Sequence, residues 1–320
     1  MSNQSINQSI KRVAAKSSHS SLLTLTNDAM RLIVVGVLAL QGAFYEHVQL
    51  LKKAAGSLPS EGGSSSQWEF IEVRTPQELE RCDALILPGG ESTTISLVAA
   101  NSNLLEPLRD FVKYVHPSCL SIDSTDSSRR MNRKPTWGTC AGLILLAESA
   151  NRIKKGGQEL IGGLDVRVNR NHFGRQVESF QAQLDLPFLV TGDQQNASFP
   201  AVFIRAPIVE KILPNQEGVQ VDELKRDETV VAPSKQAIDS AARAAMENEV
   251  EVLASLPGRA AKLASEGKNI NADEEAGDII AVRQGNVFGT SFHPELTNDA
   301  RIHSWWLRQV RDAVMNRDEA

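Results

Sequence analysis

Short apolar runs and longer amphipathic stretches alternate along this chain. The run at residues 32–40 carries no charge, which predicts a strand buried on both faces. Gln41-Gly42-Ala43 predicts a turn, and residues 46–55 a helix with Val48, Leu50 and Leu51 among its apolar positions. The Gly/Ser stretch at 56–66 reads as a flexible loop, followed by strands at 69–73 and 84–87. Pro88-Gly89-Gly90-Glu91-Ser92 breaks the third strand, and Ser92 is the expected cap of a helix running from Thr93. A further short strand precedes Cys140, and the apolar helix Leu143-Ile144-Leu145-Leu146-Ala147 follows it. This rhythm predicts an α/β fold: a three-layer arrangement with a mostly parallel sheet flanked by helices.

The second half adds predicted strands at 164–168, 177–184, 201–204, 279–283 and 287–292, and a closing helix at 299–314. Residues 117–134 are polar, basic and Ser-rich and read as a surface insertion. Residues 222–277 are mostly polar, Ala-rich and mixed in charge. They read largely as insertions outside the domain, with a helical stretch at 235–247 and a strand at 250–253 between them. No internal repeat is visible. The expected organisation is a tail at 1–30, one domain at 31–316 and a short tail at 317–320.

Composition narrows the class. The 320 residues suffice for one large α/β domain, and 41% apolar with 23% charged residues is ordinary for a globular protein. A net charge of -5 gives no reason to expect nucleic-acid binding. No apolar run approaches the roughly 18 to 20 residues of a membrane span. Three widely spaced cysteines, Cys82, Cys119 and Cys140, form neither a disulfide framework nor a metal-ligand pattern. They point to a reducing, cytoplasmic setting with one reactive thiol and no metal. Residues 1–30 are rich in Ser and Asn, carry Lys11, Arg12 and Lys16, and have Asp28 as their one acid. A disordered tail is the first reading and an organellar presequence the second.

Candidate chemistry concentrates in three motifs. Gly138-Thr139-Cys140-Ala141-Gly142, between a strand and an apolar helix, is a nucleophile-elbow pattern with Cys as the nucleophile. The tight turn strains the backbone, the helix start favours a thiolate, and the Ala141 N–H can face a developing oxyanion. His293-Pro294-Glu295 follows a late apolar strand. A thiolate needs an imidazole, and the imidazole needs an orienting carboxylate. Pro88-Gly89-Gly90-Glu91-Ser92 ends an α/β strand where such folds place ligands, and Gly89 and Gly90 can complete an oxyanion hole. Alone, each motif has a plain structural reading: a buried thiol, a surface pair, a turn. Their combination carries the inference.

Together Gly-Thr-Cys-Ala-Gly, Pro-Gly-Gly-Glu-Ser-Thr-Thr and Ser-Phe-His-Pro-Glu-Leu resemble the triad (class I) glutamine amidotransferases. The segments Leu40-Gln41-Gly42-Ala43-Phe44-Tyr45-Glu46-His47, Arg170-Asn171-His172-Phe173-Gly174-Arg175-Gln176 and Phe203-Ile204-Arg205-Ala206-Pro207 narrow this to the glutaminase subunits of pyridoxal 5'-phosphate synthase. The resemblance implies Cys140, His293 and Glu295 as the triad. It implies Gly90, Glu91, Ser92, Arg170, Ile204 and Arg205 as glutamine-binding residues, and Gln41 as a residue near the oxyanion hole that responds to partner docking. It implies L-glutamine as substrate, a synthase subunit as protein partner, and no cofactor for the glutaminase step. His47 and His172 are expected in core or interface roles, and His303 suggests nothing. A glutaminase serving another synthase and a non-catalytic scaffold of the same fold are the competing readings.

Overall fold

The uncharged run at the start forms β1 (Leu32–Leu38), whose residues beyond Leu32 are all buried. The computed structural model describes residues 31–58, 67–113, 133–152, 158–170, 179–190, 198–216, 218–233, 248–256 and 278–318. After β1 come α1 (Phe44–Ser57), β2 (Gln67–Val73), α2 (Pro76–Glu80), β3 (Ala84–Leu87), α3 (Ser92–Asn101) and α4 (Leu105–Lys113). Then follow β4 (Thr136–Thr139), α5 (Ala141–Leu146), β5 (Ala147–Asn151), β6 (Leu164–Asn169), β7 (Ser179–Leu184), β8 (Phe199–Ile204) and β9 (Ile208–Ile212). The chain closes with α6 (Val221–Leu224), β10 (Thr229–Val231), β11 (Glu251–Leu256), β12 (Asp278–Gln284), β13 (Val287–Thr290) and α7 (Arg301–Asp318).

One sheet runs in the order β10-β5-β6-β9-β12-β13-β4-β3-β1-β2, with β11 paired to β12, and β7 and β8 form a separate ribbon. The stretch that carries the three motifs is parallel, β1 to β3, β3 to β4 and β4 to β13. Alternation within its strands separates two apolar layers. Val34, Leu38, Leu85 and Leu87 pack with Ile95, Leu108 and Leu143 of α3, α4 and α5. Ile33, Val35, Val37 and Ile86 pack with Leu51 of α1 and Trp306 and Val310 of α7 on the other face. The expected three layers are present, with antiparallel strands added beyond β13.

Several expectations shift. The stretch 222–233 is not an outer insertion. Glu223 is buried and pairs with Arg167 Nη1 at 2.7 Å, and β10 extends the sheet on β5. The strand expected at 250–253 is β11, and it belongs to the main sheet through β12. Arg133, placed by sequence in a surface loop, is buried and donates to the Gly163 and Gln284 carbonyls at 2.8 and 3.1 Å. Polar composition misled in both cases, because a buried charge whose hydrogen bonds are all made reads as a surface residue. Strands β5, β9 and β10 lay outside the sequence reading, and α7 runs past 314 to Asp318. The expected tail at 1–30, the 235–247 helix and most of the 117–134 segment lie outside the described residues.

The chain divides into two contact units, Ile33–Pro59 with Trp68–Ala320, and Met1–Leu32 with Ser60–Gln67. In the smaller one the described residues are Arg31, Leu32 and Gln67, and the Gln67 amide donates to the Arg31 carbonyl at 2.9 Å.

Replacing Arg167 by Met would remove the closer of two charge partners from the buried Glu223 carboxylate, which keeps its bond from Ser149 at 2.7 Å and the half-exposed Arg226 at 3.5 Å. The expected loss is about 3 kcal/mol in urea unfolding. An unchanged midpoint would mean that 221–231 is not integral to the domain.

Candidate active site

Parallel register brings the three motifs to one edge. Leu87 pairs with Gly138, and Thr139 with Thr290, so β3, β4 and β13 end side by side. The residues just beyond are Gly89, Cys140 and His293, at the carboxyl ends where parallel sheets place ligands.

Cys140 joins β4 directly to α5 with φ 48° and ψ -98°, a backbone that side chains rarely adopt. Its amide donates to the Thr290 carbonyl at 2.8 Å, which fixes the bend. Gly142 has to be glycine, since a Cβ there would strike the Leu87 carbonyl. The thiol is almost fully buried, and its Sγ lies 4.0 Å from the Ile204 carbonyl. Ala141, also buried, opens the helix.

The His293 amide donates to the Val202 carbonyl at 2.8 Å. Its Nδ1 lies 2.7 Å from Glu295 Oε1, and both side chains are buried. Burial pushes the imidazole pKa down, but hydrogen bonds to Cys140 and Glu295 and their charges outweigh it and raise the value to about 10. Gly89 lies flat against this ring, where a side chain would collide with the imidazole. The Gly89 carbonyl accepts from the Ala43 amide at 3.0 Å, and Gln41 Oε1 accepts from the Glu91 amide at 2.7 Å. The turn after β1 therefore holds the Pro-Gly-Gly turn from behind.

Glu91, not Ser92, caps α3. Its carboxylate accepts from the Thr93 and Thr94 amides at 3.1 and 2.6 Å. Partial burial raises its pKa, yet these bonds lower it on balance and keep the carboxylate ionised. The sequence favoured Ser92 because serine is the commoner cap, but the longer side chain one residue earlier reaches the same amides. Ser92 is buried instead, and its Oγ donates to Gln158 Oε1 at 3.5 Å; Thr93 donates to the same oxygen at 3.0 Å.

Arg170, at the end of β6, is buried and also donates to Gln158 Oε1 through Nη1. Its Nε and Nη2 are buried with no hydrogen-bond partner among the described residues. Burial lowers its pKa to about 10, and the Glu91 charge offsets part of that. A buried guanidinium with two spare donors is matched to a carboxylate. Ile204 is half-buried beside Cys140, and Arg205 is exposed at a bend with φ 46°.

The structure thus brings Cys140, His293, Glu295, Gly89 and Ile204 into one cluster. It ties Arg170 to Ser92 through Gln158. Gln158 escaped the sequence reading because it sits in a polar stretch without a motif. His303 also escaped, though a signal existed: it lies one turn before Trp306 on the face that continues through Val310 and Val314. Cys119, His116, His172 and the 171–178 segment lie outside the described residues.

An α/β sheet with an elbow cysteine beside a buried histidine–carboxylate pair is the framework of a glutamine amidotransferase. Comparison with known proteins gives the family: residues 37–250 and 242–312 match the SNO glutamine amidotransferase family, and the chain belongs to it. A protein of Arabidopsis thaliana named "Probable pyridoxal 5'-phosphate synthase subunit PDX2" is 36% identical over 285 residues, 88% of this chain and 87% of that protein. "Pyridoxal 5'-phosphate synthase subunit SNO1" of Saccharomyces cerevisiae is 34% identical, with 91% and 98% covered. "Pyridoxal 5'-phosphate synthase subunit PdxT" of Streptomyces avermitilis is 37% identical, with 87% and 94% covered. A solved structure titled "Crystal structure of glutamine amidotransferase" superposes with a TM-score of 0.53 at 31% identity, covering 87% of this chain and 98% of that one. The chain is accordingly a glutaminase of this family.

A His293 pKa near 10 predicts a reaction profile whose alkaline limb lies near pH 10 rather than near the ordinary imidazole value. The sign follows from the raised value: the ring stays protonated through neutral pH and loses its proton only as pH rises through 10. In Glu295→Gln the limb should move to lower pH, with kcat falling by roughly a hundredfold or more. A limb at the same pH in both proteins would separate Glu295 from His293.

Proposed function

We propose that this chain is the glutaminase subunit of a pyridoxal 5'-phosphate synthase. It would hydrolyse L-glutamine through Cys140 and hand the ammonia to a separate synthase subunit. The observation that carries the reading is Cys140 on its strained elbow beside the buried His293–Glu295 pair. Relatives at 34 to 37% identity that bear the synthase-subunit name support the partner assignment. Free Cys82 and Cys140 suit a reducing compartment, and we place the protein in the cytoplasm.

The substrate's α-carboxylate would meet the spare donors of Arg170, with Glu91, Ser92, Ile204 and Arg205 bounding the rest of the amino acid. Its side-chain amide then reaches Cys140. The sulfur attacks the amide carbon, and the oxygen takes up charge against the amides of Ala141 and the Gly89-Gly90 turn. His293, held charged by Glu295, gives its proton to the departing nitrogen, and ammonia leaves. A water that has lost a proton to His293 attacks the glutamyl thioester. Glutamate is released, and the pair of Cys140 thiolate and His293 imidazolium is restored. The Gly89 carbonyl is engaged by Ala43 and the Glu91 amide by Gln41, so docking at the turn after β1 could reset the oxyanion hole. A low rate for the isolated chain follows.

Glutamate release is expected to need the synthase subunit and to vanish in Cys140→Ala. Arg170→Met should raise KM for glutamine roughly tenfold or more with a smaller change in kcat. Full-rate turnover by the isolated chain would remove the docking requirement. Absence of turnover with any synthase, in a folded protein, would leave a scaffold.

A further inference from the structure

Behind the triad lies a group of buried side chains that the reaction just described does not use. His47, on α1, and His303, on α7, are both completely buried. His47 Nδ1 is 3.1 Å from His303 Nε2. His47 Nε2 is 3.2 Å from Thr139 Oγ1, on the strand end that leads into Cys140, and 3.4 Å from Glu295 Oε2. The last contact is not a hydrogen bond: Glu295 Oε2 is buried and has no hydrogen-bond partner among the described residues, so the His47 edge is what faces it. Trp137 walls the group, its ring centroid 5.5 Å from His47 and 4.9 Å from His303.

Counting protons decides the arrangement. His303 Nδ1 has no hydrogen-bond partner among the described residues. An N–H there would be a buried donor without an acceptor, which is costly, whereas a bare lone pair costs less. The favoured form of His303 therefore carries its hydrogen on Nε2 and donates it to His47 Nδ1. His47 Nδ1 is then an acceptor, so the His47 hydrogen sits on Nε2, hydrogen-bonded to Thr139 Oγ1 with the Glu295 carboxylate beside it. The opposite tautomer would leave a lone pair of His47 facing the carboxylate at 3.4 Å. Both rings are neutral. Burial holds His47 well below its ordinary value, with repulsion from His303 and His293 adding to it, and burial takes His303 down to about 3 against a small opposing pull from Asp299.

We infer that His47 is a positioning residue of the glutaminase reaction: its Nε2–H, set by His303 and anchored on Thr139, presents its positive end to the second oxygen of Glu295 and so fixes the carboxylate against His293. Neutrality matters to the role. A cation at His47 would compete with His293 for the Glu295 charge and weaken the hold on the imidazolium. A neutral donor fixes the carboxylate's rotation and leaves its charge available. Through Thr139 the same N–H touches the strand that delivers the nucleophile, so base and nucleophile share one anchor. The line of contacts runs His303, His47, Glu295, His293, Cys140, and it spans α7, α1 and the elbow.

This inference rests on the triad assignment, so its first test needs no turnover. Nitrogen-15 NMR of the histidine side chains in the wild-type chain should show His47 and His303 neutral and protonated on Nε2 at neutral pH. A His47 hydrogen on Nδ1, or a charged His47, would overturn the inference and leave the triad untouched. The second test measures glutamine hydrolysis by the full chain with the synthase subunit added. In His47→Leu, kcat should fall roughly tenfold, the alkaline limb of the rate profile should move to lower pH, and KM for glutamine should hold within about twofold. His47→Gln keeps an N–H near the position of Nε2 and should recover most of the rate. A folded His47→Leu with unchanged kcat and limb would refute the role. So would a rate loss that leaves the limb in place and is not rescued by Gln. If neither variant folds, the tautomers of the wild-type chain decide.

Discussion

The parallel register of β3, β4 and β13 governs everything else in this molecule. Leu87 opposite Gly138 and Thr139 opposite Thr290 make three strands end together, and three motifs far apart in sequence converge within a few ångströms. A slip of one residue in β4 would turn Trp137 from the α1/α7 layer to the opposite face and carry Cys140 away from His293. The register is strongly specified because both faces of these strands are buried. Gly142 contributes by letting α5 approach the end of β3, which sets where the elbow sits.

On that frame the candidate site divides into a proposed chemical half and a proposed recognition half with opposite electrostatic problems. In the chemical half the His293 pKa is raised despite burial, first by Cys140 and then by Glu295. In the recognition half a buried guanidinium, Arg170, keeps two donors unspent among the described residues, and its Nη1 is bonded to neutral Gln158. Leaving buried donors unmatched is destabilising unless a ligand completes them, and a carboxylate ligand would do so. Glu91 stands between the halves. It caps α3, biases Arg170 by its charge, and receives the Gln41 contact that links the glycine turn to β1.

Much of this was legible in the sequence. Glycines around a cysteine between an apolar strand and an apolar helix define an elbow, and His-x-Glu after a late strand marks the histidine–carboxylate pair that the fold buries beside it. These features are local in sequence, and local patterns are what a sequence displays. Gln158 and the His47–His303 contact were not legible, since each depends on which helix or loop lies against which strand. Ser92 was given the wrong task because capping preference ranks residue types and ignores reach. Glu223 and Arg133 were read as surface because each is charged, and only the fold reveals the partners that permit their burial. Strands β5, β9 and β10 are short, and β10 is only half-buried, so their apolar signal was weak.

The most direct test of the central claim is to catch the covalent intermediate. The chain, with the synthase subunit present, would be mixed with carbon-labelled L-glutamine, quenched in acid during turnover, digested and read by mass spectrometry. A glutamyl thioester on the peptide that carries Cys140 is the predicted result. Turnover without any adduct there, or an adduct on Cys82 instead, would contradict the account.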